Sequence, residues 1–256
     1  SFFTGVPYGM TTPELTAWVR FMGGQELWDE IYDQFGVQGF LSGNTGTQTG
    51  GWFRDELKSL EDVKGVRFRT PGLGGQVWEK LGATVTNMAA GEIFQALQSG
   101  TLDAAEFVGP YNDLALGFYQ VAKNYYMPSF VESGLATELV VDKKKYQELP
   151  ADLQAIIRDV SQAEYDQVSA DFIANDPRAL KTLVDDHGVI VRNFPDDIME
   201  AGAKASVEVV EELRNSSDPL VKKTTESFIE ALNLVRTRTE KIDSPYVAAR
   251  EKYLKY

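Results

Sequence analysis

The chain has 256 residues, 43% hydrophobic, with 25 Lys and Arg against 38 Asp and Glu for a net charge of −13, and no cysteine. That length is enough to bury a sizeable core in one large or two modest domains, and the acidity argues against a nucleic-acid partner because no basic stripe is available to neutralise phosphates. The lack of cysteine excludes thiol nucleophiles, thiolate metal ligands and disulfides while fitting either cytoplasm or periplasm, and no run of about 18 apolar residues marks a membrane span.

Ser1 opens directly on Phe2-Phe3-Thr4-Gly5-Val6, which reads like the middle of a strand, so residues are expected upstream of it. Thr11-Thr12-Pro13-Glu14 predicts a helix start, with threonine as cap, proline in the first turn and Glu14 favourable to the dipole. Leu15, Trp18, Val19 and Met22 follow at helical spacing, Gly23-Gly24 breaks the pattern, and Glu26 to Phe35 forms a second amphipathic helix. A short strand is expected over Val37 to Leu41. Ser42 to Phe53 then reads as a polar, glycine-rich loop whose backbone can approach a ligand.

The stretch from Lys64 to Pro110 organises the rest. Val66 to Arg69 alternates as a half-buried strand and stops at Thr70-Pro71-Gly72. Gln76 to Leu81 reads as helix, Ala83 to Met88 as strand, Glu92 to Gln98 as helix and Ala104 to Val108 as strand. This alternation implies a parallel α/β fold, in which ligands bind beyond the carboxyl ends of strands, and Arg69 and Glu106 fall there.

Beyond Pro110 the chain is dense in aromatics, with Leu114, Phe118 and Val121 spaced for a buried helix face, a turn over Met127 to Gly134, and a strand over Glu138 to Asp142. Lys143-Lys144-Lys145 reads as a solvated helix start. Pro150 begins a long helix that reaches Asn175, where Asp176-Pro177 is expected to kink or restart it. Gly188 to Phe194 is a strand, and Asp196 to Leu213, Pro219 to Arg238 and Tyr246 to Tyr256 are helices.

Each site candidate has an ordinary reading beside its functional one. Arg69 is either a surface arginine or a fork for a carboxylate. Glu106, on an otherwise apolar strand, requires a cation, a metal or several donors, and a structural ion pair would satisfy it as well as a functional site. Asn44 and Gln48 read as loop caps. Gly72-Leu73-Gly74-Gly75 lacks the following Lys-Ser/Thr and the dinucleotide spacing, which discounts a phosphate cradle. Asp103 and Glu106 are three apart on a strand and face opposite ways, so they are no glycosidase pair. His187, the single histidine, follows Asp185-Asp186 at a helix end, where a structural cap is favoured over a general base.

Five stretches, FFTGVPYGMT, GNTGTQTGGWFRDEL, GVRFRTPGLGGQVWEKLGA, ALQSGTLDAAEFVGPYNDLALGFYQVAKNYY and SPYVAAREKYLKY, resemble the extracytoplasmic solute receptors of tripartite ATP-independent periplasmic (TRAP) transporters, in particular the subset that binds 2-oxo acids. The resemblance covers essentially the whole chain. It implies a two-lobed α/β periplasmic solute-binding fold with a long helix spanning both lobes and an incomplete first lobe, since family members carry further strand-helix units before the position of Ser1. The implied lobes are 1–19 with 104–145, and 20–103 with 146–256.

By the same resemblance, Arg69 clamps the solute carboxylate, and Gln48, Glu106 and Glu132 surround a metal ion that bridges protein and solute. Phe107 stands where the subset usually has tryptophan, supplying a backbone carbonyl and a ring wall but no indole N–H, and Asn44 joins Gln48 on the solute side. Two carboxylates with an amide oxygen make a hard oxygen shell suited to sodium or calcium. The implied function is capture of a small monocarboxylate, a 2-oxo acid such as pyruvate, and its delivery to TRAP integral membrane subunits, without catalysis. The alternatives are a metal-assisted enzyme using Glu106 or Glu132 as base, and a ligand-sensing domain. For the C-terminal helix, packing within the chain and exchange in a homodimer are the two expectations.

Overall fold

In the computed structural model, which describes residues 2–255, the chain is organised around two hydrogen-bonded sheets. The expectations that touch Ser1 and Tyr256 lie outside the described residues. Phe2 to Thr4 form a turn instead of the strand their sequence suggests, because the Phe3 ring is drawn between Trp18 and Trp28, with ring centroids 5.2 and 5.0 Å away. Helix α1 (Thr12–Phe21) begins where the capping signature places it: the Thr11 N–H donates to the Glu14 carboxylate at 2.8 Å. Gly23, at φ +83°, turns the chain into α2 (Gly24–Asp33).

Strand β1 (Val37–Asn44) leads through residues 45–50 to β2 (Gly51–Phe53). Then come β3 (Arg67–Arg69), α3 (Gly72–Lys80), β4 (Thr84–Thr86), α4 (Ala90–Ser99), β5 (Ala104–Ala105), α5 (Pro110–Leu116) and β6 (Asn124–Tyr126). Residues 127–135, which include a cis Met127-Pro128 bond, lead to β7 (Ala136–Asp142), which pairs antiparallel with β1 as a separate two-stranded ribbon. After α6 (Lys143–Glu148) and α7 (Ala151–Asp185), β8 (Ile190–Arg192) completes a six-stranded sheet in the order β4-β3-β5-β2-β6-β8. The β3-β4, β3-β5 and β6-β8 pairs are parallel, as the strand-helix alternation implies, whereas β2 is antiparallel to both β5 and β6.

The structure departs from the sequence expectations, or adds to them, at four places. The expected loop from Ser42 to Phe53 is a loop only over 45–50: Trp52 and Phe53 are buried in the middle of the sheet, and the two glycines before them hide so short a strand. β6 lies inside the aromatic-rich stretch, where three successive buried residues show no alternation. α7 runs through Pro177 without a break for 35 residues, about 52 Å, its C-terminal turns anchored by buried Ala179 and Leu183. Next to the expected boundary between 103 and 104, Ala104–Ala105 is hydrogen-bonded to Phe68–Arg69 on one side and Trp52–Phe53 on the other.

The long helix packs on β1 and on α5, and so lies against both sheet systems. One core runs from the Phe3, Trp18 and Trp28 stack to Phe53, Phe68, Trp78, Tyr126, Phe130 and Phe194, and a second gathers Trp52, Ile93, Leu97, Phe118, Tyr125 and Leu183. Helices α8 (Asp196–Arg214) and α9 (Pro219–Arg238) pack on α3, α1 and α2. A π-helical turn, Thr239–Asp243, leads to α10 (Ser244–Tyr253), of which no residue is buried, so packing of this helix within the chain is not what the fold shows. Among the described residues no helix is long and apolar enough to cross a membrane.

Candidate functional site

The topology brings four chain segments to one edge of the six-stranded sheet. β3, β5 and β6 all run the same way, so Arg69 at the end of β3, Glu106 just past β5 and the segment after β6 that carries Glu132 meet there. Because β2 runs against them, its beginning lies at the same edge and brings Gln48 with it. Residues 45–50 and 127–135 are also the two direct crossings between the sheets, and they hold each other: Thr45 N–H donates to Leu135 O (3.0 Å), Gln48 N–H to Glu132 O (3.0 Å) and Ser129 N–H to Gln48 O (2.9 Å).

Arg69, Gln48, Glu106 and Glu132 are all buried. Arg69 Nη1 donates to the Glu106 carbonyl at 2.6 Å and Nε to the Met88 carbonyl at 3.3 Å, which fixes the plane of the guanidinium. The Glu106 carboxylate is 3.9 Å from Nη1 and accepts from Thr70 Oγ1 at 3.3 Å. The Phe107 ring lies 5.8 Å from the Arg69 guanidinium carbon.

One end of the Gln48 amide faces Glu106 Oε1 at 2.9 Å and the Phe107 carbonyl at 3.1 Å; the other is 3.1 Å from Thr45 Oγ1. With the nitrogen toward them, the amide donates to both oxygens. With its oxygen toward them, three acceptors converge on one point, which a cation or a proton on Glu106 reconciles. Glu132 Oε2 is buried without a hydrogen-bond partner among the described residues, and Gly5 makes room for it, since a Cβ there would stand 2.6 Å from that oxygen. This orphaned oxygen and the all-oxygen donor set fit a hard cation.

The electrostatics of the site point the same way. Burial pushes the Glu132 carboxyl up to about 7, with Arg69 pulling it back. Burial, then the charge of Glu132, raises Glu106 well above the ordinary carboxylate range against the opposing pull of Arg69. Burial lowers the Arg69 guanidinium, and the charges of Glu106, Glu132 and Asp113 offset that. When both carboxylates are ionised, one arginine does not balance them; an added cation would.

Arg69, Gln48, Glu106 and Phe107 are thus brought together, with Glu132 beside them. Asn44 is not among them. It is wholly buried at the end of β1, where its Oδ1 accepts from Thr12 Oγ1 (2.7 Å) and Gly46 N–H (2.8 Å) and its amide donates to Tyr165 Oη (3.2 Å), so it caps the loop and leaves no group for a solute. Asp103 pairs with Arg67 at 2.5 Å at the opposite end of β3, and His187 stacks on Tyr119 with ring centroids 4.0 Å apart. Sequence reasoning missed Thr70, whose contact with Glu106 depends on the register of β3 against β5, a feature with no local signature.

Residues 2–216 match the family model of bacterial extracellular solute-binding protein, family 7. A monocarboxylate 2-oxoacid-binding periplasmic protein of Nostoc sp. is 36% identical over 228 residues, 89% of this chain and 62% of that protein, so the chain spans less than two thirds of the curated relative. A TRAP periplasmic solute binding protein of Pseudoalteromonas atlantica, solved with bound sodium and pyruvate, superposes with a TM-score of 0.92 at 38% identity over 97% of this chain and 75% of that one. Another from Colwellia psychrerythraea, with bound calcium and pyruvate, gives 0.92 at 39% identity, covering 96% and 75%.

Proposed function

Because the chain belongs to family 7 of the bacterial extracellular solute-binding proteins, we propose that it captures a small monocarboxylate, a 2-oxo acid such as pyruvate, together with sodium or calcium. In this reading it works in the periplasm, hands the solute to the integral membrane subunits of a TRAP transporter, and catalyses no reaction. The observation that carries it is the convergence, beside Arg69, of the Gln48 amide, Glu106 Oε1 and the Phe107 carbonyl, with the orphaned Glu132 Oε2 buried on the neighbouring crossing. Arg69 holds the solute carboxylate through its fork. Gln48, Glu106, Phe107 O and Glu132 hold the cation, which when bound offsets the two carboxylates and offers the solute oxygens a positive partner.

The two sheets replace the sequence-based lobes in this reading. The crossings that carry Gln48 and Glu132 join them, so closure of the lobes and ligation of the ion involve the same residues. The exposed Tyr246 and Tyr253 of α10 are assigned to a second copy of the chain in a homodimer.

Calorimetry on chelator-treated protein tests the function. Saturable pyruvate binding that requires added calcium or sodium, with pyruvate recovered unchanged, is the expected result. Turnover of pyruvate would replace this reading with the metal-assisted enzyme in which Glu106 or Glu132 is the base.

A further inference from the structure

Asp113 is a completely buried carboxylate on α5, within the second core and outside the set that holds ion and solute. A buried carboxylate is costly unless several donors satisfy it. Its Oδ2 accepts from Trp52 Nε1 on β2 and from the Tyr125 hydroxyl on β6, both at 2.8 Å, and its Oδ1 accepts the longer Val108 N–H bond at 3.4 Å. Tyr125, having donated its proton to Asp113, accepts from Thr49 Oγ1 at 3.1 Å. The donors thus run in one direction, from Thr49 to Tyr125 to Asp113, with Trp52 and Val108 converging on the same group. The Trp52 and Tyr125 rings are stacked at 3.9 Å and wholly buried, which holds the relay rigid.

The two ends of this network are residues adjacent to the site. Thr49 follows Gln48 and Val108 follows Phe107, and Thr49 N–H donates to Val108 O at 3.1 Å. The Gln48 amide and the Phe107 carbonyl, 3.1 Å apart, are each next in the chain to a residue that Asp113 reaches, Val108 directly and Thr49 through Tyr125. Capping α5 would need only the Val108 bond. The two shorter bonds reach across to two strands.

We propose that Asp113, through Tyr125, Thr49 and Trp52, is a positioning residue that sets the spacing between the Gln48 amide and the Phe107 carbonyl, and so the affinity of the site for its cation. This rests on the functional reading above for the nature of the ligand. Cation affinity depends steeply on the separation of its oxygen ligands, whereas the Arg69 fork is fixed independently by the Glu106 and Met88 carbonyls.

The test uses Tyr125→Phe, which keeps the ring stack and removes the relay hydroxyl, and Asp113→Asn, which offers one acceptor oxygen where two are used. Calcium alone is titrated into each chelator-treated full chain, pyruvate is titrated at saturating calcium, and the melting temperature is read without ligand. The expected result for Tyr125→Phe is calcium affinity about tenfold weaker, the effect of one lost hydrogen bond at a buried site. Pyruvate affinity at saturating calcium should stay within about twofold of the parent, an effect too small to represent a lost hydrogen bond. Calcium affinity unchanged in both folded variants overturns the proposal, as does an equal loss of calcium and pyruvate affinity alongside a lower melting temperature, which would mark a merely structural role. A parent that binds neither calcium nor pyruvate instead overturns the functional reading, and the affinity claim with it.

Discussion

Arg69 illustrates how a residue type, and not only a charge, is required. With Nη1 and Nε anchored on carbonyls, its guanidinium is held in one plane, and Arg69→Lys keeps the charge but loses the two parallel bonds that a carboxylate accepts. At about 1.5 to 3 kcal/mol for a charged hydrogen bond, pyruvate binding should weaken by roughly ten- to a hundredfold in calorimetry, and equal affinity in parent and variant would count against the clamp. Glu132 makes the opposite trade. Its carboxyl, raised to about 7 from an ordinary 4.5, binds a proton in the folded protein that the unfolded chain has already released. Its contribution to stability is therefore complete below about pH 4.5 and is lost as the pH rises to about 7, at a cost of roughly 3 kcal/mol. Ligand-free Glu132→Gln should melt several degrees above the parent at pH 8, converge with it near pH 4, and bind calcium more weakly at pH 8. Arg69 and Glu106 were legible in the sequence because a strand end and an acid on an apolar strand are local patterns. The role of Asn44 was less legible, because whether a loop amide caps or binds is decided by partners as distant as Thr12 and Tyr165.

The elements that the sequence revealed are those with a period long enough to read. α9 spans Pro219–Arg238 as expected, and α8 differs from expectation by one residue at its end. β2 and β6, three residues each and buried throughout, carry no alternation, and their identity comes from their neighbours on either side. Pro177 was read as a breaker from its own chemistry, yet the helix continues, its proline cost of about 3 kcal/mol offset by packing on both sides. Gly51 shows how closely β2 is fitted: at φ +108° its Cα faces the Ala105 carbonyl, and a Cβ would stand 2.7 Å from that oxygen. Gly51→Ala should lower stability by about 2 kcal/mol or more in urea titration, through backbone strain and collision together. A midpoint matching the parent would mean that β2 shifts freely against β5.

At the scale of the whole molecule, the pairing of strands was out of reach of sequence, since β1 finds its partner only at β7. The terminal helix is separable from the rest. Since no residue of α10 is buried, deletion from Asp243 onward should leave the melting temperature within about 2 °C of the parent and pyruvate binding intact, while light scattering reports whether a dimer present before deletion becomes a monomer. The position of β8 has another effect. Its parallel pairing with β6 joins residues separated by β7, α6 and the whole of α7, so β6 stays unpaired on that side until Ile190–Arg192 has been synthesised. A nascent chain that stalls within α7 presents an unpaired β6, with Tyr125 and Tyr126, to other chains. C-terminal truncations ending before Ile190 should therefore aggregate on release from the ribosome, whereas those ending after Arg238 should stay in solution.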